Sequence, residues 1–186
     1  MISNVGSNPA TLWQNVNNQG NRKQTANFNP MQGINAPIVL NGDALVSGAM
    51  RLPGGGMLNA HVFKADSFTS ENPVMRVKGT NTCGTPFEVE ININDLNKNS
   101  MSFIEMFALD GYITANTGNT SGIARAAGQA LFNSDVVADG FTKFDILPAL
   151  REALAMHREN GNWDAAVWMD KTINSFMNHF ERNKEV

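Results

Sequence analysis

The sequence predicts an α+β fold: an antiparallel β-hairpin or small sheet packed against a C-terminal helical part that contains an αα-hairpin. Two observations predict it. Phe87, Val89, Ile91 and Ile93 alternate strictly with Glu88, Glu90 and Asn92, and period-two alternation over that length marks a half-buried strand. After Asn94-Asp95 the period changes, and Phe103, Met106, Phe107, Ala108 and Ile113 follow at helical spacing.

Taken in order, the first 42 residues stand apart. Asn, Gln, Ser and Gly dominate them, Arg22 and Lys23 are their only charged side chains, and no acidic residue precedes Asp43. Too few apolar groups are present to offset chain entropy. Residues 1–42 read as a flexible polar arm, with Trp13 and Phe28 as its anchors. Residues 43–186 read as one α+β domain, mainly β over 43–94 and mainly α over 95–186.

Ile38-Val39-Leu40 is a short apolar run ended by Asn41-Gly42, a turn signal. Leu45 to Leu52 is apolar but holds Gly48, and Pro53-Gly54-Gly55-Gly56 breaks the chain. Met57 to Phe63 alternates weakly and reads as a strand. The hairpin then spans Val74–Ile93. Met75 and Val77 alternate with Arg76 and Lys78, and Gly79 to Pro86 form its loop. The polar faces of the two strands carry opposite charge, so Arg76 and Lys78 can face Glu88 and Glu90, each pair contributing at most about 1 kcal/mol.

Ser102-Phe103-Ile104-Glu105 has the spacing of a capping box, in which Ser and Glu satisfy each other's backbone donors. Gly118 to Gly122 ends that helix, and Ile123 to Phe132 predicts a short Ala-rich one. Asp145 caps a further helix with Pro148 in its first turn, where a missing N–H is harmless. Its inward set is Leu147, Leu150, Leu154 and Met156, and Asn160-Gly161 ends it. Trp163, Val167, Ile173, Phe176, Met177 and Phe180 mark one broad face of a longer final helix.

Composition narrows the function classes. An apolar share of 42% over 186 residues provides for a sizeable core. A net charge of −3 with no basic cluster argues against nucleic-acid binding. Cys83 is the single cysteine, so no internal disulfide and no Cys-rich metal site can form. No apolar run reaches the roughly 18 residues of a transmembrane span, and the N-terminus lacks the apolar core of a Sec signal.

Each candidate for chemistry meets a structural alternative. Pro53-Gly54-Gly55-Gly56 lacks the Gly-Lys-Ser/Thr ending of a phosphate loop and reads as a turn. Cys83 and His61 could pair as nucleophile and base, but Cys83 sits in a loop rather than at a helix N-terminus that would stabilise its thiolate. His157 and His179 show no metal-ligand spacing with their acidic neighbours. Glu88 and Glu90 lie on a polar strand face, and Glu105 belongs to a cap. The remaining feature is the aromatic and methionine set of the last helix: Trp163, Trp168, Met169, Phe176, Met177 and Phe180. Trp168 and Met169 widen its apolar arc beyond one stripe, and Met suits adaptable contact surfaces.

The stretch Val77-Lys78-Gly79, Gly84-Thr85-Pro86-Phe87-Glu88-Val89-Glu90-Ile91, Asn94-Asp95 and Ser102 to Leu109 resembles a pattern in small uncharacterised bacterial proteins. In these a polar, acid-poor N-terminus precedes a strand–strand–helix unit ending Glu-Met-x-Ala-Leu. The resemblance implies a bacterial origin and no assigned activity. The N-terminus is also similar in composition to substrates of flagellar or type III export.

The resulting expectation is a non-enzymatic interaction or structural protein, without cofactor, metal or nucleic acid. It would bind a protein partner or itself through the last helix, and would be cytoplasmic or exported without a Sec signal. The alternative is a small enzyme or ligand-binding domain with a pocket near Cys83, His61 or Glu105.

Overall fold

The computed structural model describes residues 44–52, 55–132 and 139–182. The expected polar arm over 1–42, with Trp13 and Phe28 and the run Ile38–Leu40, lies outside the described residues. Four strands come first: β1 (Val46–Arg51), β2 (Met57–Lys64), β3 (Val74–Thr80) and β4 (Pro86–Asn92). They form one antiparallel sheet in sequence order, β1-β2-β3-β4. The expected hairpin is β3–β4, and its register sets Arg76 opposite Glu90 and Lys78 opposite Glu88. Lys78 Nζ lies 3.0 Å from Glu88 Oε1, while Arg76 also reaches Asp66 at 3.5 Å. β1 occupies the apolar stretch whose Gly48 obscured a strand. Its pairing with β2, Val46 opposite Val62 through Arg51 opposite Met57, supplies what local propensity lacks.

Leu58, Ala60 and Val62 of β2 and Met75 and Val77 of β3 point to one face and are fully buried. Helix α1 (Phe103–Thr117) lies across β2 and β3 and also touches β1. The predicted capping box starts it: Glu105 N–H donates to Ser102 Oγ, and Ser102 N–H donates to Glu105 Oε2 at 2.8 Å. Gly111 marks its closest approach to the sheet. A Cβ there would collide with the Val62 side chain, so the helix can settle this deeply only with glycine. Gly118 ends α1 in the left-handed conformation, as glycine at this position commonly does.

Helix α2 (Ile123–Ala130) packs on α1 and β1. Its cap residue Gly122 has no side chain to satisfy the first N–H groups. Asp110, buried in the middle of α1, does so instead. It accepts hydrogen bonds from Ser121 Oγ, from Ile123 N–H at 3.1 Å and from Ala124 N–H at 3.2 Å. Burial pushes this carboxyl up from its usual range, against the pull of those donors.

Helices α3 (Leu147–Glu159) and α4 (Trp163–Arg182) pack as the predicted αα-hairpin. Asp145 Oδ1 accepts the Leu147 N–H at 3.1 Å, and Pro148 stands in the first turn. Phe144 is tied to Met101 by a reciprocal pair of 3.1 Å backbone bonds, which joins the entry of α3 to the entry of α1. Leu147, Leu150 and Leu154 are buried as expected, but Met156 is 52% exposed. At 100° per residue it stands well round the helix from that buried stripe.

Two consequences can be measured. Asp110→Ala leaves the Ser121 hydroxyl and the first amides of α2 without an acceptor. It should lower unfolding stability by about 3 kcal/mol, read from the denaturation midpoint. The second concerns His179, whose ring meets Tyr112 and Phe180 edge-on and whose buried Nε2 has no hydrogen-bond partner among the described residues. Burial lowers its pKa below the ordinary 6.5, and that of His61 likewise. A depressed folded pKa means the unfolded chain takes the proton first, so this stability is intact above 6.5 and is lost as pH falls. Denaturation of His179→Phe at pH 7.5 and 5.5 should show a smaller acid loss than the parent chain, and an equal loss would remove His179 from the account.

Candidate interaction surface

Helix α4 buries Ala166, Met169, Thr172, Ile173 and Phe176 against the rest of the fold. These recur at three- and four-residue steps and define its inner stripe. Trp163 and Val167 lie on a different face. They sit one turn apart, 64% and 53% exposed. The single broad face expected through Trp163, Val167, Ile173, Phe176, Met177 and Phe180 therefore divides: Ile173 and Phe176 are buried, while the first turn, with Trp163 and Val167, faces out. Trp163, Ala166 and Val167 form the apolar floor of a shallow depression of about 290 Å³. Arg158, Asp170 and Lys171 line its edge, with Arg158 Nη2 donating to Asp170 Oδ1 at 3.1 Å. That ion pair joins α3 to α4 and holds the rim in place.

The structure separates the six aromatic and methionine residues singled out in the sequence. Met169 and Phe176 are fully buried and belong to the core. Met177 and Phe180 are partly buried against it, Phe180 edge-on to Phe176 at 5.1 Å. Trp168 is half-buried and engaged within the chain. The Arg125 guanidinium stacks over its ring at 5.0 Å, and the ring lies beside Gly122 at the start of α2. Trp163 alone of the six is exposed. Val167 joins it.

The residues considered for chemistry lie on separate elements. Cys83 is exposed in the β3–β4 turn, where its N–H donates to Asn81 Oδ1 at 3.0 Å. His61 is buried on β2, with Nδ1 2.9 Å from Ser47 Oγ on β1. Glu105 completes the cap of α1 and its Oε1 meets Lys143 Nζ at 2.7 Å. The strongest arrangement of polar groups is one the sequence did not reveal. Asp110 and Ser121 meet across two elements, with no motif spacing to announce them. Their geometry is that of a structural tie: the carboxylate faces backbone donors, and the Ser121 hydroxyl is spent on it. Among the described residues, no group of three or more His, Cys, Asp or Glu side chains could hold a metal ion. No described helix is long and apolar enough to cross a membrane.

In comparisons with known proteins, no family model, no curated protein and no solved structure matches the chain.

Proposed function

We propose that this chain is a non-enzymatic bacterial interaction or structural protein that docks a protein partner, a second copy included, on the outer face of α4. The observation that carries the reading is Trp163 and Val167 exposed one turn apart beside a rim of charged side chains. A solvated tryptophan costs free energy that a partner would recover, and an aromatic anchor within a polar rim is the usual anatomy of a binding hot spot. The acid-poor composition of residues 1–42 supports export by a route that does not read a Sec signal.

Trp163→Asp leaves the inner stripe of α4 untouched, so it should keep the fold and weaken association by about 2 kcal/mol or more. Size-exclusion with light scattering and pull-down on both chains would measure this. A parent chain that stays monomeric and retains no partner, just as the variant does, counts against the reading. For the address, a reporter fused to residues 1–42 should appear outside an export-competent bacterium, and a reporter kept in the cytoplasm would end that part.

A further inference from the structure

Strand β4 closes one side of the sheet and pairs only with β3 among the described residues. Among the described residues its far edge therefore presents unpaired backbone groups. Its two faces are unlike. Phe87, Val89 and Ile91 point to the side on which α1 packs, yet all three stay partly exposed, whereas the corresponding residues of β2 and β3 are sealed. The reason is width. A helix about 10 Å across covers two strands spaced about 4.8 Å apart, and α1 is spent on β2 and β3. Phe87, Val89 and Ile91 still pack against the core from its margin, and Phe87 meets Phe141 edge-on at 5.3 Å, with Phe141 itself 39% exposed. The opposite face carries Glu88 and Glu90, both exposed. Glu88 draws both Lys78 and Arg76, which leaves Glu90 without an ion pair among the described residues.

A second copy of β4 is disfavoured in the antiparallel registers that overlap most of the strand and keep its apolar and charged faces in line. Antiparallel pairing centred on Val89 sets Glu88 against Glu90 twice. Centring on Glu88 or Glu90 sets that residue against itself. Like charges directly opposite are destabilising. What fits is the pattern that already fits on the inner side, where β3 offers Met75-Arg76-Val77-Lys78. We propose that the free edge of β4 binds an extended segment of another protein in which apolar residues alternate with Lys or Arg. The segment adds a fifth strand, lays its apolar side chains over Phe87, Val89, Ile91 and Phe141, and sets its basic ones against Glu88 and Glu90. It is a surface of the sheet, separate from the Trp163 face.

The probe is a labelled synthetic peptide with the sequence of residues 72–81, titrated into the full chain by fluorescence anisotropy and followed by amide NMR. Saturable binding is expected, with shifts confined to β4 and the Phe141 loop and with β3 amides still protected. Glu90→Lys replaces an attractive cross-strand pair by a repulsive one and should weaken binding roughly ten-fold, with its fold confirmed by thermal melting. A peptide carrying Glu in place of its Arg and Lys should not bind. Trp163→Asp should bind the peptide as the parent chain does, which separates this surface from the proposed α4 face. No saturation at millimolar peptide, equal affinity for Glu90→Lys, or shifts centred on α4 or β3 would each overturn the proposal.

Discussion

A single buried carboxylate ties the second helix of the layer to the first. Asp110 sits in the middle of α1 and takes the donors that open α2, a helix whose own cap residue is a glycine. Removing a carboxylate from water is costly, and the upward push on its pKa records that cost. The cost is offset by donors fixed in position and by the positive end of a helix dipole. Because the acceptor is on α1 and the donors are on α2, the two helices cannot slide without leaving polar groups unsatisfied. Arg125 on α2 then stacks on Trp168 of α4, which links α4 to the same pair of helices in addition to its packing on α3.

The other governing constraint is the size of the helical layer. α1 descends close to β2 at Gly111 and seals the centre of the sheet. α2 is short and reaches β1 at Met50. Among the described residues no helix packs broadly on β4, and Phe87 leans on the loop residue Phe141. A bare edge is normally a hazard for aggregation, and charge on the edge strand is one of the ways proteins manage it. Glu88 and Glu90 serve that purpose against identical strands. The same two charges admit a strand of opposite sign, so protection from self-pairing and selection of a basic partner follow from one pair of residues.

Much of the scaffold was legible because it rests on short-range patterns. The register of β3 and β4 could be read from Arg76, Lys78, Glu88 and Glu90, since charge and alternation agree there. The capping box at Ser102 and the Asp145–Pro148 start of α3 are likewise local. β1 was not legible: Gly48 interrupts its pattern, and only pairing with β2 makes it a strand. Asp110 and Ser121 were missed for a related reason. They lie on either side of a turn, and no periodicity marks a carboxylate whose donors are backbone amides of another helix.

The face of α4 shows where sequence periodicity loses resolution. Trp163 and Trp168 are five residues apart, which turns one about 140° from the other. With apolar residues at Trp163, Val167, Trp168, Met169, Ile173 and Phe176, most of the circumference carries one, and a stripe fitted by eye can run through the wrong members. Packing decides among them. The rest of the fold takes the stripe through Ala166, Met169, Ile173 and Phe176, and α2 engages Trp168 through Arg125. What remains is Trp163 with Val167, too few to form a stripe of their own and too apolar to be explained by solvation. Their exposure acquires meaning only after the inward positions have been assigned, which makes the surface a property of the fold rather than of the helix.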